Sequence, residues 1–122
     1  MAFEHTETNL PLENEYPKLV RDLIPQRIKD NDDLDVPVRI LSDDQEYLSY
    51  LLKKVAEEAE ELSQAQTDAN IQEEIADVYE LIDAISKLKH WSVADLQAVQ
   101  ADKRAKRGGF DGRLLMLEDV AK

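Results

Sequence analysis

An all-α fold is predicted for this chain by three features. Long stretches lack glycine and proline, apolar residues recur within them at three- and four-residue spacing, and helix-capping residues stand at their starts. Composition agrees: only 3 of the 122 residues are glycine and 43% are hydrophobic, a balance that suits packed helices better than strands and turns or disorder. One core is expected at this length. Residues 16–122 therefore read as a single domain, preceded over residues 1–15 by a polar, acidic arm with little periodicity.

The elements follow in order. YPKLVRDLIPQRIKDN carries prolines at 17 and 25 among Leu19, Val20, Leu23, Ile24 and Ile28, which predicts a bent segment ending in a short helix led by Pro25. DVPVRIL reads as an extended connector. Ser42 followed by Gln45 is a capping-box pattern that opens a first long helix reaching about residue 66, with Leu48, Leu51, Leu52, Val55, Ala59 and Leu62 on its buried face. Asn70 with Glu73 repeats the pattern, and Ile71, Ile75, Val78, Ile82 and Ile85 carry a second stripe to about residue 89. The two long helices are expected to pair as an antiparallel hairpin. Ser92 then caps a helix that runs to Arg107, where Gly108 and Gly109 can supply a left-handed stop. Asp95 near its start and Lys103, Arg104, Lys106 and Arg107 near its end suit the helix dipole.

Charge and composition exclude several functions. The formal charge is -12, from 27 acidic against 15 basic residues, so a nucleic acid polymer is not an expected partner. Cysteine is absent, which removes disulfides, zinc thiolate sites and thiol catalysis together. No apolar run approaches the roughly 18 residues of a membrane span, and MAFEHTETNL lacks the basic start and apolar core of a signal peptide. A cytoplasmic protein with no membrane partner is the expectation.

The stretch EEAEELSQAQTDANIQEEIAD concentrates the acidity. At about 100° per residue, Glu74 falls inside the apolar sector of its helix and Asp77 lies on the same flank one turn on. In the preceding helix Glu58 borders the apolar face and Glu61 lies further round on the same side, while Glu57 and Glu60 point more nearly to solvent. The midpoint between positions 61 and 74 equals that between 58 and 77, so a hairpin folded about residues 67 and 68 brings both pairs to matching heights. Two carboxylates about 4 Å apart repel by roughly 4 kcal/mol at an effective dielectric near 20, so convergence of four implies a cation. Oxygen-only ligands favour Mg²⁺, or Mn²⁺, over zinc or copper. A di-iron site of the Glu-x-x-His type is excluded because His5 and His90 stand elsewhere, and no EF-hand loop is present. The bland alternative is a solvated acidic helix face, and Lys54 is either a local helix ion pair or a side chain beside the site.

Glu57-Glu58-x-x-Glu61, twelve intervening positions, then Glu74-x-x-Asp77, resembles the signature of the MazG-like all-α nucleoside triphosphate pyrophosphohydrolases, the superfamily that includes phosphoribosyl-ATP pyrophosphohydrolase. The likeness extends over about residues 16 to 118 through YPKLVRDLIPQRI, PVRILSDDQEYLSYLLKKVAEEAEEL, EEIADVYELIDAI and KRAKRGGF, which are similar to a house-cleaning branch. The resemblance implies Mg²⁺ ligation by Glu58, Glu61, Glu74 and Asp77, the four that helix geometry selects. It also makes Glu57 the candidate base, although an ideal helix turns that side chain away from the buried stripe; Glu57 and Glu58 are thus the candidate catalytic residues.

The implied reaction is hydrolysis between the α and β phosphates of a nucleoside triphosphate, giving a nucleoside monophosphate and pyrophosphate, in nucleotide-pool sanitation. Phosphoribosyl-ATP is the rival substrate, and a non-enzymatic acidic helical interaction protein is the alternative of another class. Lys18, Arg21, Lys54, Lys103, Arg104 and Arg107 are the candidates for holding phosphates, with surface pairs such as Arg21 to Asp22, or simple dipole-complementing charge at the last helix, as the competing explanations. Trp91 and Tyr79 are expected in the core rather than against a base. One hairpin and short helices leave broad apolar stripes, so the MazG-like bundle is expected to be completed by a homodimer or homotetramer.

Overall fold

A computed structural model describes residues 16–120 of the chain; the N-terminal arm expected over residues 1–15 lies outside them. The described residues form four helices and no strand: α1 (Ile24–Asp32), α2 (Asp44–Gln64), α3 (Asp68–Lys89) and α4 (Val93–Arg107). The chain divides into two compact units, one ending at Lys89 and the other beginning at His90.

In the first unit, Pro25 sits in the opening turn of α1, where its missing N–H costs nothing. The helix ends at Asp33 in a left-handed conformation, φ 53°, with Lys29 Nζ 3.2 Å from its carboxylate. DVPVRIL runs without helix or strand, as expected. Arg39 closes it by donating from both terminal nitrogens to the two carboxylate oxygens of Glu46, each at 2.9 Å, which ties the connector to the first turn of α2. The cap of α2 is Asp43, one residue later than the Ser42 pattern implied, and its side chain accepts the Glu46 N–H at 2.9 Å. Aspartate adds favourable charge at the helix N-terminus, which serine does not.

The turn of the hairpin is three residues, Ala65 to Thr67. Thr67, not Asn70, opens α3: its Oγ1 accepts the Asn70 N–H at 3.1 Å and its carbonyl accepts the Ile71 N–H. The turn is centred on Gln66, ahead of the expected fold about residues 67 and 68, and the four carboxylates of the 58/77 and 61/74 pairs converge nonetheless. Helices α2 and α3 pack along each other as the antiparallel hairpin.

The less exposed faces of both helices are turned from their apolar stripes towards the acidic flank. Taking about 100° per residue, the offset is roughly 80° in α2 and 60° in α3. Leu51 is 1% exposed, but Leu52 is 53% and Ala59 is also exposed; on α3, Ile71, Ile75, Tyr79 and Ile82 are exposed. Tyr79, expected in the core, lies on this uncovered side at 66% exposure.

In the second unit Ser92 and Asp95 form the capping box of α4, Ser92 Oγ accepting the Asp95 N–H at 3.1 Å and Asp95 accepting the Ser92 N–H at 2.7 Å. The helix ends at Gly108 with φ 81°, a conformation that side chains disfavour. A Cβ on Gly109 would lie 2.6 Å from a guanidinium nitrogen of Arg104, an exposed side chain that can move aside, so only Gly108 has a backbone that calls for glycine. Trp91, another core expectation, is 47% exposed.

Candidate metal centre

Four carboxylates converge on the hairpin. Glu58 and Glu61 from α2 and Glu74 and Asp77 from α3 each offer one oxygen such that all four oxygens lie within 4.8 Å of one another. The spacing explains this: Glu58 and Glu61 are three apart, as are Glu74 and Asp77, so each pair shares one side of its helix. The short turn sets them opposite.

The environment is incompletely compensated. Glu58 is buried, and its Oε2, like Oε2 of Glu74, is buried with no hydrogen-bond partner. Orphaned anionic oxygens of this kind are costly to bury, and charge removal or a cation relieves the cost. Burial is the main force pushing the Glu58 carboxyl above the ordinary glutamate range; Glu74 and Asp77 push it in the same direction, while Glu61 and Lys54 oppose them. A divalent ion with oxygen-only ligation fits this donor set.

Glu57 departs from the expectation that it faces solvent, being 1% exposed. The ideal wheel ties burial to the apolar stripe, whereas the packed face is rotated towards the acids and takes Glu57 inside with it. Lys54 Nζ lies 2.9 Å from Glu57 Oε2, an ion pair without hydrogen-bond geometry, and 4.0 Å from Glu58 Oε1. The local helix pair and the position beside the site are therefore one arrangement.

Arg21 reaches Asp77, not its neighbour Asp22, with Nη2 2.5 Å from Oδ1. A cleft of about 480 Å³ adjoins the cluster, bounded by residues 19–27 and by α2 and α3. Four acids, Asp22, Glu58, Asp77 and Glu80, line it together with three cations, Arg21, Arg27 and Lys54, and with apolar surface from Leu51 and Leu81. Arg27 is the residue that sequence reasoning missed; its helical spacing from Pro25 and Ile24 carries no chemical signal, and only the fold sets it on this wall.

Lys18 is not on that wall; its Nζ lies over the Tyr16 ring, 5.0 Å from the centroid. Lys103, Arg104 and Arg107 belong to α4 in the second unit, where Arg104 Nη2 donates to Asp111 at 3.0 Å. Comparison with protein-family models, curated proteins and solved structures finds no match for the chain.

Proposed function

We propose that this protein is a Mg²⁺-dependent nucleoside triphosphate pyrophosphohydrolase of the MazG-like kind, acting in nucleotide-pool sanitation. One observation carries the reading: four carboxylates converge within 4.8 Å, two of their oxygens are buried without hydrogen-bond partners, and an amphipathic cleft with three cations adjoins them. An acidic face made only for solubility has no reason to bury its charges.

Glu58, Glu61, Glu74 and Asp77 would hold Mg²⁺, or Mn²⁺, through their carboxylate oxygens. Such an ion, when bound, neutralises phosphate oxygens and makes water more acidic. Arg21, Arg27 and Lys54 bind phosphate oxygens in the cleft, and Leu51 and Leu81 exclude water beside them. Water attacks the α phosphorus, its proton passes to a carboxylate for which Glu57 is the candidate, and the α–β bridging bond breaks. The products are a nucleoside monophosphate and pyrophosphate. The reading carries a cytoplasmic location, where such substrates are, and a homo-oligomer that covers Leu52 and Ile75.

The test is a panel of nucleoside triphosphates with Mg²⁺ and with Mn²⁺, read by pyrophosphate release and by melting temperature. Metal should raise the melting temperature of the wild type, and at least one triphosphate should give pyrophosphate. Neither effect across the panel would reject the enzyme in favour of an acidic interaction protein. Rescue of a strain lacking phosphoribosyl-ATP pyrophosphohydrolase would reassign the substrate.

A further inference from the structure

The acidic cluster and Glu57 are held in place by two cations of different character. Lys54 belongs to α2 itself, is mostly covered, and reaches Glu57 and Glu58 across a single helical turn. Arg21 comes from the non-helical segment before α1, is 55% exposed, and spans 56 positions of sequence to reach Asp77. Lys54 is therefore built into the helix, whereas Arg21 can swing away at the cost of one solvated ion pair. Asp77 is the quartet member that Arg21 occupies, and the same arginine lines the cleft. A divalent cation and this guanidinium compete for one carboxylate.

We propose that Arg21 is a displaceable counter-ion of the quartet: it neutralises Asp77 before metal arrives, and metal binding releases its guanidinium to an anionic ligand in the cleft. The inference rests on the metal-binding reading above. It couples the two ligands with a fixed sign. Each phosphate contact made by the released guanidinium weakens its return to Asp77, so bound anion strengthens metal binding and bound metal strengthens anion binding. In the metal-free protein both partners are occupied with one another, which disfavours a triphosphate arriving without its ion.

Removing the arginine should thus improve metal binding while harming anion binding, a combination that general damage to the site does not produce. Mn²⁺ binding alone, followed by electron paramagnetic resonance, is measured for the wild type, Arg21→Gln, Arg21→Lys and Arg39→Gln. The last variant deletes a cation from the exposed Arg39–Glu46 pair and controls for the change in net charge. Arg21→Gln should bind Mn²⁺ about two- to fivefold more tightly, the factor an exposed ion pair is worth. Arg21→Lys, which keeps the charge, and Arg39→Gln should both bind as the wild type does. With Mn²⁺ saturating, inorganic pyrophosphate should bind Arg21→Gln more weakly than wild type by calorimetry. Unchanged or weaker Mn²⁺ binding by Arg21→Gln, or unchanged pyrophosphate binding, overturns the counter-ion role while leaving the metal site standing. A wild type that binds no Mn²⁺ overturns both.

Discussion

Glu74 stands where a helix normally places an isoleucine, and one of its oxygens has no hydrogen-bond partner. That placement makes the side chain a liability to folding and, in the proposed site, an asset to metal binding. Replacing Glu74 by Gln removes one of four converging charges, so the metal-free protein should melt at the same temperature or higher. The metal-induced rise in melting temperature should vanish, and activity should fall about 100-fold or more, since loss of groups that merely orient a metal ligand already costs about 10- to 100-fold. A stable Glu74→Gln protein with full activity would defeat the site. Glu58 gives a pH signature for the same crowding. Its carboxyl is shifted upward, chiefly by burial, so the folded metal-free protein holds that proton more tightly than the unfolded chain. The stabilising effect is complete below the ordinary glutamate range and is lost as pH rises through the shifted value. The metal-free melting temperature should therefore decline across that window, and Glu58→Gln should flatten the decline. An identical slope in the variant would assign the effect to other groups.

The convergence of the four carboxylates was legible in sequence from two simple regularities: three-residue spacing on each helix and a shared midpoint close to the turn. Asp43 caps α2 instead of Ser42 and Thr67 opens α3 instead of Asn70, and the turn centre moves to Gln66, yet the four carboxylates still converge. The burial of Glu57 was not legible, because no hydrophobic pattern reports how far a packed face rotates from its apolar stripe. Nor was the Arg21–Asp77 pair, which joins positions 56 apart that no local rule connects. The same rotation leaves Leu52 and Ala59 of α2, and Ile71, Ile75, Tyr79 and Ile82 of α3, exposed to water. Exposed apolar stripes on paired helices are characteristic of surfaces that another chain covers. In the oligomer we propose, wild-type protein should show a mass in light scattering above the 14.0 kDa of one chain. Leu52→Glu and Ile75→Glu should each shift it towards the monomer by placing a charge in the contact. If the wild type is already monomeric at micromolar concentration, those stripes serve something else.

For the proposed hydrolase, a charge of -12 on 122 residues creates a field that a triphosphate would cross before it meets the cations of the cleft. The two influences act over different ranges. Repulsion by the whole molecule is felt at a distance and is screened once the Debye length shortens from about 30 Å at 0.01 M salt to about 10 Å at 0.1 M. In that reading, attraction by Arg21, Arg27 and Lys54, which line the cleft, acts at contact once metal offsets the neighbouring carboxylates, and yields only at higher ionic strength. For the proposed hydrolase, kcat/KM at saturating Mg²⁺ should accordingly rise between about 0.01 and 0.1 M salt and fall beyond it. An enzyme that steers its anionic substrate by net positive charge shows only the fall. Measuring kcat/KM against sodium chloride distinguishes the two, provided free Mg²⁺ is held constant. Arg27→Gln should deepen the high-salt decline while preserving the low-salt rise, because it weakens the local contact and slightly increases the overall negative charge. A decline beginning at the lowest salt would mean that the cleft's own field governs approach from the outset and that the acidic exterior has no kinetic influence on the nucleotide.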